Sequence, residues 1–221
     1  MAVYSFPDIV YKIFRRYIWK LPTNKKTLYL TFDDGPIPEV TPWVLDLLKA
    51  YNAKATFFCV GENIEKNPSV FERISIEGHQ IGNHTFNHLN AWKTRTKKYF
   101  ENIDKCQKLT QTTLFRPPYG KIRLLQGWRL MRNFNIVMWD VLSGDYDKNL
   151  SPDDCFKNVL NHTKPGSIIV FHDSLKAYKN LKELLPKVLE HYSSLGYSFE
   201  SINLDKLVFK ESLNKQLSAV Y

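Results

Sequence analysis

The sequence predicts a (β/α) barrel of seven or eight parallel strands, and three observations predict it. From residue 27 onward, short apolar runs alternate with amphipathic stretches, the rhythm of successive βαβ units. The residues able to do chemistry fall at the ends of those apolar runs, which in a parallel barrel share one face. The loop after the first run, Thr31-Phe32-Asp33-Asp34-Gly35-Pro36, is acidic, where an open dinucleotide-binding sheet would carry glycines. A closed barrel is therefore favoured over a doubly wound sheet, and 221 residues suit a single core.

Each element has its own signal. Thr27–Phe32 alternates β-formers, and Thr41-Pro42 is expected to cap and open a helix whose Trp43, Val44, Leu47, Leu48 and Tyr51 recur at helical spacing. Ala55–Val60 reads as the second strand, Pro68–Glu77 as a helix and Gly78–Gly82 as a short third strand. Thr94–Thr110 reads as a helix with Tyr99, Ile103, Cys106 and Leu109 on one side, followed by a brief strand at Leu114-Phe115. Leu124–Phe134 suggests a helix, Ile136–Trp139 a buried strand, and Ser151-Pro152 a helix start running to about His162. Ser167–Phe171 is a strand of near-unbroken hydrophobicity, Leu181–Leu195 the last long helix and Phe199–Ile202 a final strand. The expected organisation is an N-terminal extension over 1–26, a catalytic domain over 27–203 and a C-terminal tail over 204–221.

Composition narrows the class. Hydrophobic residues at 43% and charged residues at 24% are ordinary globular values. The net charge of +9 is uneven, since residues 1–26 hold Lys12, Arg15, Arg16, Lys20, Lys25 and Lys26 against Asp8 alone. Such a segment reads either as a solvated basic face or as an attraction to anionic lipid or glycan. No nucleic-acid motif accompanies the charge, so nucleic acid is not an expected partner. Its aromatics, Tyr4, Phe6, Tyr11, Phe14, Tyr17 and Trp19, point to packing across the barrel bottom or to peripheral contact with a membrane. Cys59, Cys106 and Cys155 form no CxxC pair, which suits a reducing compartment. No signal peptide or transmembrane run is visible, so the expected location is cytoplasmic or peripheral to the inner membrane, and a monomer is favoured.

The chemistry converges on five segments. His84 and His88 stand four residues apart, and in a helical turn both imidazoles would face one divalent ion. Asp33 and Asp34 offer two carboxylates at a strand end: one can ligate the ion while the other accepts a proton. Arg116-Pro117-Pro118-Tyr119-Gly120 places a cation on a stiff loop, where a bidentate contact would aim the base carboxylate, and where the Tyr119 backbone N–H could meet an oxyanion. His172 emerges from the apolar Ile168–Phe171 run as a candidate general acid, with Asp145 to orient and charge it. His79, His162 and His191 read as structural or surface residues.

Together these residues resemble the polysaccharide deacetylase superfamily, also called carbohydrate esterase family 4 or the NodB-homology domain. Thr31-Phe32-Asp33-Asp34-Gly35 looks like its first motif, His84-Thr85-Phe86-Asn87-His88 its second, Arg116-Pro117-Pro118-Tyr119-Gly120 its third and Ile169-Val170-Phe171-His172 its fifth. The resemblance implies a distorted barrel, often with fewer than eight strands. It implies Asp33 as general base, Asp34, His84 and His88 as ligands of one divalent ion (Zn2+, or Co2+, Ni2+ or Mn2+), and His172 as general acid. Arg116 would steady Asp33, and Asp145 would steady His172. The fourth motif departs from the family's Asp-x-x-Asp-Trp: Leu142 stands for the first acid and Tyr146 for the aromatic, while Asp145 keeps the second acid. Ile169 stands where leucine is usual. Tyr146, Ile169 and Pro118 are the expected pocket walls for the acetyl methyl.

The implied activity is hydrolysis of N-acetyl groups on aminosugars of a peptidoglycan- or chitooligosaccharide-type glycan, releasing acetate. Two other expectations are a deacylase of another carbohydrate-linked amide or ester (a lipid-linked sugar, a formyl group, acetylxylan) and a glycan-binding module without catalysis.

Overall fold

The computed structural model describes residue 10 and residues 14–204. Tyr4, Phe6, Tyr11 and Lys12 of the basic extension, and the tail beyond residue 204, lie outside the described residues.

Strand β1, Thr27–Asp33, is buried along its whole length, as a strand covered on both faces must be. It is followed by α1 (Thr41–Ala50), β2 (Thr56–Cys59), α2 (Gly61–Lys66), α3 (Pro68–Ile76), β3 (Gln80–Asn83), α4 (Thr96–Thr110) and β4 (Leu114–Phe115). The second half runs α5 (Leu124–Leu130), β5 (Asn135–Ile136), β6 (Val141–Leu142), α6 (Pro152–His162), β7 (Ile168–His172), α7 (Leu175–Ser194) and β8 (Ser198–Phe199). All strand pairings are parallel, in the order β5-β4-β3-β2-β1-β7-β6, with β8 set beside the start of β1. Among the described residues no ladder joins β5 to β6, so the barrel is distorted: a curled sheet with a seam.

Alternation along the strands divides the apolar side chains between two cores. Leu28, Leu30, Phe32, Phe57, Ile169 and Phe171 pack outward against the helices with Val44, Leu48, Val159 and Leu184. Phe32 stacks on Phe57 and Phe171 with ring centroids at 5.0 and 5.7 Å. Tyr29, Phe58, Leu142, Ile168 and Val170 face inward with Trp139 and Met138. The β1–β7 register places Asp33 directly opposite His172, so the sheet itself brings two site residues together.

The seam is crossed by residues 137–140 and flanked by the N-terminal segment. Ile18 N–H donates to the Ile136 carbonyl, Met138 N–H to the Ile18 carbonyl, and Leu21 N–H to the Gly166 carbonyl. Tyr17, Trp19 and Leu21 are buried there. Phe14, Tyr17 and Trp19 line a cavity with Trp92, Tyr119 and Met138, beside the chemistry-bearing loops, while Lys20 and Leu21 reach Ser167 and Gly166 at the start of β7. Among the described residues no helix is long and apolar enough to cross a membrane.

Several boundaries differ from the sequence expectation. Helix α1 is entered from Val40 without a side-chain cap, because the Thr41 hydroxyl donates instead to Asp173, at 2.6 Å. Helix α7 begins at Leu175, ahead of the expected Leu181, and carries Pro186 inside it. The expected strand Ile136–Trp139 shortens to Asn135–Ile136, as Val137 bridges Ile18 and the chain then turns to β6. Helix α6 starts at Ser151-Pro152 as expected, through a capping box in which Ser151 accepts from Asp154 N–H and Asp154 from Ser151 N–H.

Candidate active site

The loops after β1, β3, β4, β6 and β7 meet over a cavity of about 420 Å³ lined by Asp33, Asp34, His84, His88, Tyr119 and His172, among others. Adjacent residues on a strand point to opposite faces, so Asp33 and Asp34 can enter one cavity only if the backbone turns between them. It does so at Asp34, whose φ is 85°, in the left-handed region. Two contacts hold that turn: Gly35 N–H donates to Asp173 Oδ1 at 3.0 Å, and Asn63 Nδ2 donates to the Asp34 carbonyl at 2.7 Å. Gly35 cannot be replaced by a larger residue without conflict, because a Cβ there would lie 2.0 Å from Asp173 Oδ2.

His84 and His88 do converge, but not through a helical turn. Residues 84–88 form an irregular loop in which Thr85 and His88 have φ of 63° and 52°. Side chains hold that loop in place of helical hydrogen bonds. Asn83 Oδ1 accepts from Thr85 N–H, and Asn102 Oδ1 accepts from both Phe86 and Asn87 N–H. His84 Nδ1 lies 2.8 Å from the Arg116 carbonyl, an acceptor only, so Nδ1 carries the proton and Nε2 presents its lone pair to the cavity. Burial pulls the His84 pKa down to about 4, which keeps the ring neutral and able to ligate.

Asp34, His84 and His88 each offer one donor atom, and these atoms all lie within 4.8 Å of one another. His88 Nε2 sits 3.2 Å from Asp34 Oδ1, and His84 Nε2 sits 3.9 Å from the same oxygen. Burial raises the Asp34 carboxyl, but the His88 hydrogen bond and nearby His172 outweigh it and hold the group well below the usual carboxylate range. One carboxylate and two imidazoles, open to a cavity on the fourth side, fit a single divalent ion.

On one flank stands Asp33, 5% exposed. Its Oδ1 accepts from Arg116 at 2.7 Å, while Oδ2 lies 3.9 Å from His84 Nε2, toward the ligand cluster. Arg116 is fully buried, and its contact with Asp33 is through one nitrogen, not the expected bidentate fork. The other nitrogens are held by carbonyls: Nε donates to Val137 and Nη2 to Met138, and Nη1 also reaches the Thr31 hydroxyl. The guanidinium lies 4.1 Å from the centroid of the Phe58 ring.

On the other flank His172 Nδ1 lies 2.7 Å from Asp145 Oδ1, and His172 N–H donates to Asp145 Oδ2 at 2.7 Å. Burial alone lowers the His172 pKa, but the Asp145 carboxylate overrides it and carries it up to about 9. Asn180 of α7, a buried residue without any motif signature, donates to the carbonyls of Asp145, Asp147 and Leu150 and fixes this loop.

Tyr119 has φ of 62° in a turn where Gly120 and Lys121 N–H donate to the Pro117 and Pro118 carbonyls. Its ring is 59% exposed and lies 4.6 Å from the His88 ring. Tyr146 packs edge-on against His172 at 5.0 Å and lines the cavity. Ile169 and Pro118 do not. Ile169 is fully buried in the outer core, because His172 faces the cavity and alternation leaves Val170, not Ile169, on the same side. Pro118 is buried beneath the turn. Leu142, Val170, Trp139, Lys121 and Lys176 complete the wall. Period-2 counting back from His172 signals Val170 in the sequence, whereas nothing there marks Trp139 or Lys176. The remaining histidines are structural: His79 Nδ1 accepts from Ala55 N–H, His162 bonds the Asn158 carbonyl, and His191 packs edge-on against Phe156.

Residues 20–135 match the model of a family described as polysaccharide deacetylase. Over 194 residues the chain is 39% identical to a peptidoglycan-N-acetylglucosamine deacetylase of Bacillus cereus, covering 84% of this chain and 70% of that protein. It is 32% identical over 163 residues to a chitooligosaccharide deacetylase of Azorhizobium caulinodans, covering 70% of this chain and 77% of the relative. Among solved structures it resembles a peptidoglycan N-acetylglucosamine deacetylase in complex with 4-naphthalen-1-yl-N-oxidanyl-benzamide. That match has a TM-score of 0.81 and 36% identity, over 89% of this chain and 95% of the other.

Proposed function

The chain belongs to the polysaccharide deacetylase family, and from that premise we propose that it is a metal-dependent hydrolase that removes N-acetyl groups from aminosugars of a glycan, releasing acetate. Peptidoglycan and chitooligosaccharides are the substrate types, as for the relatives it is similar to. The observation that carries the reading is the cluster of Asp34, His84 and His88 within 4.8 Å, flanked by Asp33 and by the His172–Asp145 pair in one cavity.

Asp34, His84 and His88 would hold one divalent ion, zinc by preference and cobalt, nickel or manganese as substitutes, which when bound supplies the Lewis acidity that polarises an amide carbonyl and acidifies water. Asp33 accepts the proton of the attacking water through Oδ2, the oxygen that Arg116 leaves unbonded and that faces His84. Arg116 fixes the angle of that carboxylate, as its own position is set by the Val137 and Met138 carbonyls. The Tyr119 backbone N–H donates to the oxygen that gains negative charge as the acetyl carbon becomes tetrahedral. His172, protonated over the neutral range, gives its Nε2 proton to the departing amine nitrogen, and the C–N bond breaks to leave acetate and a free amine. Asp145 keeps that proton on the ring and holds the ring's angle.

Acetate release from peptidoglycan, chitooligosaccharide and acetylated xylan by the zinc-loaded protein tests the activity; silence on all three removes it. Asp33→Asn tests the base. Turnover should fall by about 10²–10⁴-fold while zinc affinity stays within a few-fold. Full activity in that variant ends the assignment.

A further inference from the structure

Resting on the hydrolase reading, we propose that the site selects an anionic glycan. Lys121 and Lys176, which both line the catalytic cavity, bind carboxylates carried by the aminosugar chain, of the lactyl-ether kind present in peptidoglycan. A neutral chitooligosaccharide forgoes that contact.

The charges of the cavity are otherwise matched. Asp33 is paired with Arg116 and Asp145 with His172, and Asp34 belongs to the ligand cluster. Lys121 and Lys176 line the same cavity, yet among the described residues neither forms an ion pair. Each ammonium instead rests near an aromatic face. Lys176 Nζ lies 5.2 Å from the Tyr146 ring, which itself packs against His172, so this cation stands on the proton-donor side. Lys121 Nζ lies 5.3 Å from the Trp92 ring, and the residue stands two positions after Tyr119, whose ring lies 4.6 Å from that of His88.

Helix stability does not account for Lys176. It occupies the first turn of α7, where there is no acidic residue and where a positive charge opposes the helix dipole. Protein folding does not account for Lys121, whose chain is exposed beyond its backbone hydrogen bond. Two uncompensated cations in a concave site attract anions and raise their local concentration. A neutral sugar is served by aromatic rings against its C–H face and hydrogen bonds to its hydroxyls, whereas two unpaired ammonium groups favour a negatively charged group over a neutral one. Lysine heads on flexible stems also tolerate a carboxylate whose position varies along a glycan.

The test uses the zinc-loaded full chain and one tetrasaccharide of alternating N-acetylglucosamine and N-acetylmuramic acid, with its lactyl carboxylates free or methyl-esterified. In low salt kcat/KM for the acid should exceed that for the ester by roughly fivefold, from two partly exposed charge contacts. That ratio should fall toward one in K121M/K176M and in high salt, and be restored in K121R/K176R. Because the ratio is taken within each variant, a general loss of folding or turnover cancels. A wild-type ratio of one, or a ratio that survives in K121M/K176M, overturns the proposal while leaving the hydrolase reading intact. Acetate release from neither form, nor from neutral chitotetraose, overturns the hydrolase reading and this inference with it.

Discussion

Two residues, Asp33 and His172, share one rung of the β1–β7 ladder, and each is held from behind by a partner of opposite charge. Arg116 occupies one oxygen of Asp33, and Asp145 occupies the inner nitrogen of His172. A general acid works only while protonated, so activity should decline as pH rises through the pKa of His172, which Asp145 raises to about 9. Asp145→Asn removes the negative charge but keeps an acceptor for Nδ1. Its alkaline limb of kcat against pH should therefore shift to lower pH than in the wild type, with maximal turnover down by about 10²-fold. An unmoved limb would show that the titrating acid lies elsewhere. At this scale the sequence was readable wherever chemistry limits the choice of residue. Asp33, Asp34, His84, His88, Arg116, Asp145 and His172 all arrive at one cavity or directly behind it. Ile169 was misplaced because a family position was weighed above strand alternation, which assigns the cavity side to Val170.

Among the elements, the loop after β3 shows how irregular backbone is held without a helix. Its shape depends on Asn102 of α4, whose single oxygen receives two backbone donors beside His88. Asn102→Ala leaves both N–H groups without that acceptor and frees the ring of His88 to wander, so zinc affinity should drop by about 10-fold or more in a chelator competition titration. Unchanged affinity would place the control of His88 elsewhere. Elements with a long apolar period, such as α4 and β7, were legible with boundaries nearly right. Helix α2 was not, because six residues with Ile64 as their one buried large apolar side chain carry no measurable period. Strand β6, two residues long, was hidden as well. The His84–His88 spacing suggested a helical turn, yet tertiary hydrogen bonds to asparagine produced the same convergence with a different backbone.

For the whole molecule, the N-terminal segment matters as a part of the barrel wall. Tyr17 and Trp19 are each 7% exposed and Leu21 is 4% exposed, packed where β5 and β6 fail to meet. The aromatic run that suggested a membrane surface is thus engaged, over its described part, in closing the sheet. Trp19→Ala should lower unfolding free energy by about 3–5 kcal/mol in urea titration. A loss below about 1 kcal/mol would mean the segment only rests on the surface. Barrel class was legible from the alternation of elements, but the seam was not, since it depends on which strand ends pair, and β5 and β6 are too short to announce it.

Arg116 offers its carbonyl to His84 and its side chain to Asp33, so a single amino acid grips both the His84 side and the Asp33 side of the site. The gap between those two sides is therefore spanned by the covalent frame of one residue.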